Sequence, residues 1–500
     1  MAKTVAARLV PSETYDIGPE MLKRISCPLL LIHGEGDQIQ PAEKSKVVAE
    51  MTGAELVLLP GAGHLPAARF PAKINVLIRD FLERVLDRPR DPMRQTGGHG
   101  SAKRVLYLSS PIGLGHARRD PAIAAELRKL HPDIQVDWLA QDPVTRFLGA
   151  NNERVHPASA FLANESRHLE EEAGEHDLHC FQALRRMDEI LIANFMIFQE
   201  VLEQQRYDLV VADEAWDVDH YWHEHPELKQ TQLAWFTDFV GFMPMPEGGA
   251  HEAYLTSDYN AEMIEHIERA PQLRDRAIFV GGPDDIVPGT FGPDLPVIRD
   301  WTEAHFDFCG YITGFDPHGF GSRADLRQQF GYRDGEKVCI VTVGGSGVGG
   351  HLLRRIIDAY PVAKRRLPEL RMIVVAGPRI DPASLGTPAN VEVRAFVPDL
   401  HLHLAACDLA LVQGGLTTSM ELAAAKTPFI YFPLQNHFEQ NFHVHHRLQR
   451  YGAGRRMDYA TSGPEAITQT IVAEIGQPAE FRDVETGGAS RAAAMLADLL

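Results

Sequence analysis

The sequence predicts an α/β protein built around two doubly wound parallel sheets. Short apolar runs alternate with helical patterns from about residue 104 onward. Most runs are continuously apolar, the signature of parallel strands covered on both faces. Several of them end in turns, many rich in glycine, that open the next helix.

The elements follow in order. Residues 1–90 form a first segment. Pro28–Ile32 is a strand leading to a turn with Asp37, and Leu56–Leu59 is a strand leading to a glycine turn with His64. Ile74–Leu86 reads as an amphipathic helix. Residues 91–103, with Thr96-Gly-Gly-His-Gly-Ser, carry no apolar period and read as a linker. In residues 104–318 the expected strands are Val105–Leu108, Val136–Leu139, Leu209–Ala212, Leu233–Phe236 and Ala277–Val280. Asp120-Pro121 reads as an N-cap and first helical residue, with Ile123, Leu127 and Leu130 on one face. In residues 332–485 the expected strands are Val338–Val343, Met372–Ala376, Val391–Phe396, Leu409–Val412 and Phe429–Phe432. Leu352, Leu353, Ile356, Ile357 and Tyr360 line a helix, and residues 486–500 form a C-terminal one.

Composition narrows the function. At about 150 residues per domain, 500 residues suggest roughly three domains. Lys and Arg number 49 against 68 Asp and Glu, a net charge of −19, which speaks against general nucleic-acid binding. No apolar run approaches the roughly 20 residues of a membrane-spanning helix. No signal-type apolar core follows the first residues, and the five cysteines include no Cys-x-x-Cys, so reduced thiols and a cytoplasmic location are expected. Nothing in the sequence sets an oligomeric state.

Four stretches carry chemistry. Val338–Thr342 runs into Gly344, Gly345, Ser346 and Gly347 and then a helix, so backbone amides and a helix N-terminus can meet an anion. It is not a Walker loop, and the Rossmann glycine spacing is not met cleanly. Leu409–Val412 leads through Gln413 and a Gly414-Gly415 turn into a helix expected to begin near Thr418. Thr418-x-x-Glu421 has capping-box spacing, which would satisfy that helix start and nothing more. Ser109–Pro121 contains Gly113, Gly115 and His116 where the first strand enters the first helix. Leu209–Asp213 places an acid at a strand's carboxyl end, with Glu214 and Asp238 as competitors for the same role. Two histidine-rich stretches, His220–His225 and His437–His446, have no Cys partners or paired carboxylates to complete a metal site, so no metal is expected.

Residues 332–485 resemble the nucleotide-binding half of GT-B glycosyltransferases, closest to the UDP-glycosyltransferases and the family 28 enzymes that act in peptidoglycan assembly. The family's Gly-x-x-Thr/Ser-x-x-Glu falls on Gly415, Thr418 and Glu421, and its acid-Gln pair on Glu439-Gln440. The resemblance implies that Glu421 accepts the ribose hydroxyls and that Thr418 lies near the diphosphate. It implies that Glu439 and Gln440 hold the sugar, that Phe396-Val397 packs against the base, and that residues 344–347 form a second phosphate loop. Where many relatives have a phosphate-contacting histidine this chain has Gln413, so Arg379 and backbone amides would take more of that work. Gly113-x-Gly115-His116 resembles the acceptor-half motif whose histidine is the general base, with Asp213 orienting it. The retaining signature has two glutamates eight positions apart; eight before Glu421 stands Gln413, which favours inversion.

These expectations describe an inverting transfer of a sugar from a nucleotide-diphosphate donor, expected to be a UDP-sugar, to an unknown hydroxyl acceptor, with no further cofactor. A nucleotide-sugar epimerase or hydrolase on the same fold, and a non-catalytic scaffold, are the alternatives. A lipid acceptor would call for peripheral membrane contact. Residues 28–86 resemble the last third of an α/β-hydrolase, with Asp37 and His64 in the places of acid and histidine. The serine elbow that should precede the acid is missing, so that segment is expected to be a catalytically silent remnant.

Overall fold

The computed structural model describes residues 19–86, 102–112, 114–317, 319, 321–345, 347–386 and 391–500. The expected linker therefore lies almost wholly outside the described residues. The chain divides into two compact units, Met1–Thr96 with Phe198–Gln205, and Gly97–Ile197 with Arg206–Leu500.

In the smaller unit, β1 (Leu30–Gly34) pairs in parallel with β2 (Glu55–Leu59), and α1 (Ala42–Thr52) connects them. The helix α2 (Pro71–Val85) starts three residues before its expected apolar run because Pro71 suits a first helical position. Its Ile74 packs with Leu59 and Ala62 in a small core.

The larger unit holds two parallel sheets. The first has the order β5 (Arg154–Val155), β4 (Gln135–Ala140), β3 (Arg104–Ser109), β6 (Leu209–Asp213), β7 (Gln232–Thr237), β8 (Arg276–Phe279), β9 (Asp307–Phe308). The second has the order β12 (Glu392–Arg394), β11 (Leu370–Val375), β10 (Lys337–Thr342), β13 (Leu409–Val412), β14 (Phe429–Tyr431), β15 (Arg455–Arg456). This is the doubly wound α/β architecture expected from the sequence. In each sheet the strand order reverses beside the first strand, between β3 and β6 and between β10 and β13. Such switch points open a crevice at the strands' carboxyl ends. The two-residue strands β5, β9 and β15 escaped the sequence reading because a pair of residues shows no periodicity.

The helix α3 (Gly115–Leu130) corrects one expectation. It begins five residues before Asp120, and Pro121 lies inside it. Asp120 is not a cap: it is fully buried and accepts a hydrogen bond from Tyr107 (3.1 Å). Ile123 and Leu127 face the core as expected, whereas Leu130 is exposed. The remaining helices that position the site are α4 (Glu165–Glu172), α5 (Trp216–Glu224), α6 (Gly249–Arg269), α7 (Gly350–Arg366), α8 (Leu416–Ala424) and α9 (Gly488–Ala497).

The helix α9 returns to the first sheet's side. Ala492, Ala493 and Leu496 share a core with Val105, Ala117 and Ile123, and Gly488 N–H donates to the Tyr311 carbonyl (3.2 Å). A second bond between the halves is aromatic. Phe239 and Phe242 each meet Phe438 edge-on at 5.5 Å between ring centroids. Fully buried Arg447 donates to the carbonyls of Val280 (2.9 Å) and Asp238. The five cysteines are free thiols, with Cys27 alone exposed.

Candidate functional site

The two switch points supply the site. At the first, β3 leads into α3, which carries His116 in its first turn, and β6 ends at Asp213. His116 Nδ1 and Asp213 Oδ2 are 2.9 Å apart, and Nε2 stands 3.7 Å from Glu214. Asp213 is fully buried. Arg119, one turn along α3, binds Asp213 through Nε (2.9 Å) and Nη2, and reaches Asp238 through Nη1. Of the three acids weighed from sequence, Asp213 is the one bonded to the histidine; Glu214 and Asp238 stand beside the pair.

The electrostatics follow from burial and from this packing of acids. Burial and Arg119 oppose charge on His116, but Asp213, helped by Glu214, outweighs them and raises its pKa above 6.5. Burial would raise Asp213; Arg119 and His116 prevail and hold its carboxyl well below the usual range. Glu214 is pushed up to about 7 by burial and by Asp238. Glu439 is pushed up to about 8 by burial, Asp238 and Glu214, so it belongs to this acidic group electrostatically. Glu214 also sits in the left-handed region at φ 50°, a strained conformation for a side-chain-bearing residue that Thr237 Oγ1 and the Asp238 N–H, both bonded to its carboxylate, help hold.

At the second switch point β10 opens into Gly344, Gly345 and Gly347, and β13 opens through Gln413 and Gly415 into α8. Gly344 (φ 81°) and Gly414 (φ 98°) adopt turns that glycine favours. Ser346 and Gly113, both expected site residues, lie outside the described residues. The helix α8 begins at Leu416, and no side chain caps it. The capping-box reading of Thr418 and Glu421 therefore fails. Gly415 is the N-cap and makes no side-chain cap bond, so both residues lie inside the helix, and among the described residues no side chain meets its first N–H groups. Glu421 is buried, which raises its carboxyl despite Arg118.

The halves meet across these residues. Arg118 Nη1 donates to both oxygens of Glu421 (3.0 and 2.9 Å), and its Nη2 lies 3.3 Å from His401. Gly347 N–H donates to Glu170 Oε1 (2.8 Å), and Arg379 binds the same carboxylate through Nη2 (3.0 Å) and Nε. A Cβ placed on Gly115 would stand 2.2 Å from Thr417 Oγ1, and one on Gly345 2.5 Å from Leu114. Gln413 is buried at the end of β13, Val397 is buried, and Phe396 is 61% exposed. Gln440 spends its amide oxygen on the Leu434 N–H (2.9 Å).

Sequence reasoning missed Arg118, Arg119 and Glu170. The arginines stand next to the singled-out histidine, yet only their partners, 94 to 303 residues away, give them a role. Glu170 lies in a stretch with no readable pattern. The histidine-rich stretches divide differently than expected. His443, His445 and His446 bond separately to Gly241, Tyr431 and Asp284. Donor atoms of His116, Glu214 and Asp238, and of Glu224, Glu262 and His266, instead converge within 4.8 Å.

In the smaller unit the expected acid–histidine pair is formed, with His64 Nδ1 2.9 Å from Asp37 Oδ2. Burial opposes the charge, but the Gln40 N–H, His64 and the Ile39 N–H hold the Asp37 carboxyl down at about 2. The serine that meets a histidine here, Ser45, meets His33 (2.8 Å).

Residues 338–492 match the glycosyltransferase family 28 C-terminal domain. An uncharacterized glycosyltransferase of Methanopyrus kandleri is 26% identical over 216 residues, 43% of this chain and 60% of the relative. A UDP-N-acetylglucosamine–N-acetylmuramyl-(pentapeptide) pyrophosphoryl-undecaprenol N-acetylglucosamine transferase of Acidiphilium cryptum is 27% identical over 33% of this chain and 47% of its own. An uncharacterized hydrolase of Bacillus subtilis, YugF, is 36% identical over 77 residues, 15% of this chain and 28% of its own. The chain thus spans 60% or less of the length of these relatives. Among the described residues no helix is long and apolar enough to cross a membrane.

Proposed function

We propose that this chain is a glycosyltransferase that moves a sugar, with inversion, from a UDP-sugar to a hydroxyl acceptor. The observation that carries the proposal is the His116–Asp213 pair at one switch point, set in the same unit as a family 28 domain whose glycine turns and uncapped α8 form the other. In this reading the second domain holds the donor. Glu421 receives the ribose hydroxyls, and the turn at Gly344–Gly347 and the N-terminus of α8 receive the diphosphate. Glu439 and Gln440 face the sugar, and Phe396-Val397 the base. The UDP assignment draws on the donor named for the Acidiphilium cryptum relative.

The chemistry balances as a single displacement. His116 Nε2 takes the acceptor's hydroxyl proton while Asp213 stabilises the imidazolium. The acceptor oxygen forms a bond to the anomeric carbon on the face opposite the diphosphate. The bond from that carbon to the diphosphate oxygen breaks, and UDP leaves with the electron pair. Helix and turn N–H groups meet the developing charge. Donor binding must exchange two internal contacts, Arg118 on Glu421 and Glu170 on Gly347.

A thermal-shift panel of UDP, dTDP, GDP, UDP-glucose and UDP-N-acetylglucosamine on wild type and Glu421→Ala tests the donor half. A ligand at about 100 times its Kd stabilises by roughly 2.7 kcal/mol. A UDP-selective shift that disappears in Glu421→Ala is expected; no shift with any nucleotide would sink the proposal.

For the smaller unit we infer a catalytically silent α/β-hydrolase-like segment. Among the described residues no nucleophile is bonded to His64, and an acid and a histidine alone cannot run acyl transfer. Ester hydrolysis abolished by His64→Ala would overturn that inference.

A further inference from the structure

Outside the proposed transfer site, one group of side chains has the composition and geometry of a metal centre. The helix α5 carries His220 and Glu224, and α6 carries Glu262 and His266, each pair four residues apart and so on one helical face. Ligand atoms of Glu224, Glu262 and His266 lie within 4.8 Å of one another. Glu224 Oε1 stands 3.0 Å from His266 Nε2. That contact is a hydrogen bond; two donors bound to one tetrahedral zinc at about 2.0–2.1 Å each stand roughly 3.3 Å apart, so a shared ion would replace it with little movement. His220 stands beside this trio rather than within it, its ring centroid 5.6 Å from that of His266.

The surroundings hold the group in place and leave it open. The His266 and Glu224 side chains are 9% and 7% exposed, while His220 is exposed, which provides an entry path. His266 stacks on His223 (5.7 Å between centroids, 5° between planes), and His223 Nδ1 is fixed by the Asp219 carbonyl at 2.7 Å. Asp219 is in turn clamped by Arg274 through both oxygens (2.7 and 2.6 Å). Such outer contacts fix the orientation of a liganding imidazole. Two carboxylates and two imidazoles suit a borderline divalent ion better than calcium or magnesium, which prefer all-oxygen shells.

We propose that His220, Glu224, Glu262 and His266 bind one zinc-class divalent cation that joins α5 to α6, independently of sugar transfer.

The test is zinc uptake by the full chain, measured by equilibrium dialysis and metal quantitation, with cobalt as a spectroscopic probe. The proteins are wild type, Glu262→Gln, His266→Asn and His116→Asn. His116→Asn disables the other convergent cluster. Wild type and His116→Asn should bind one zinc at this site, and cobalt should give the intense visible bands of a tetrahedral site. Glu262→Gln and His266→Asn should each weaken binding at least about tenfold. Zinc should raise the melting temperature of wild type more than that of Glu262→Gln at the same concentration. Glu262 is at the solvent edge, so its variant remains informative even if His266→Asn fails to fold. No zinc uptake by wild type, or equal uptake by Glu262→Gln, would overturn the proposal.

Discussion

Arg118 grips Glu421 with one nitrogen shared between both carboxylate oxygens, at 3.0 and 2.9 Å, across 303 residues of sequence. The pair ties the first turn of α3 to the first turns of α8, and so joins the two switch points. It also occupies the carboxylate proposed to receive the donor's ribose. Removing one partner of a largely buried pair strands the other, at a cost of about 3 kcal/mol. Arg118→Ala should therefore destabilise the protein by about that amount in denaturant unfolding. In a Glu421→Ala background the same substitution should cost far less, because the shared contact is already gone. Equal costs in both backgrounds would show that the pair contributes nothing.

The His116–Asp213 bond predicts a pH profile. Deprotonated His116 is the proposed base, so transfer should rise with pH through a midpoint above 6.5, where Asp213 and Glu214 place it. Asp213→Asn removes the strongest group that raises His116 and leaves burial and Arg119, which lower it. The midpoint should move to lower pH while the maximal rate falls. His116→Ala should reduce kcat about 10²–10⁴-fold and leave UDP binding unchanged. An unshifted midpoint in Asp213→Asn would assign the profile to another group.

Glu214 and Glu439 predict how stability depends on pH. Their folded carboxyls are raised to about 7 and about 8 from 4.5, so the folded state holds their protons more tightly than the unfolded chain. That stabilisation is complete below pH 4.5 and is lost as pH climbs through those values. Glu439→Gln cannot ionise. It should melt close to wild type near about pH 5 and above wild type near about pH 8.5. A variant that melts below wild type at the higher pH would refute the burial account.

Gly115 predicts a steric effect. A methyl there would stand 2.2 Å from Thr417 Oγ1 and 3.1 Å from its Cβ. Gly115→Ala should cost about 1–3 kcal/mol by overpacking. Adding Thr417→Ala should recover part of that in thermal unfolding, since Oγ1 leaves and Cβ stays.

Local chemistry made most of the scaffold legible from sequence. A parallel strand buried on both faces announces itself as a short apolar run, and Gly344 and Gly414 mark turns that need positive φ. Hence β3, β6, β10 and β13 stood where expected, and His116, Asp213 and Glu421 were singled out from the turns that follow them. The resemblance of residues 28–86 to an α/β-hydrolase implied that Asp37 and His64 meet, and they do. Capping and helix starts were less legible: α3 begins at Gly115, packed close against Thr417, and α8 begins at Leu416 after Gly415, both earlier than Asp120 and Thr418 suggest. Partners distant in sequence were not legible at all. Nothing near Arg118 specifies Glu421, nothing near Glu170 specifies Gly347, and Glu224 and His266 lie 42 residues apart on separate helices. A charged side chain takes its partner, and a buried carboxyl its pKa, from whatever the fold brings within a few ångströms. That information exists only once both sheets, and the helices between their strands, are packed.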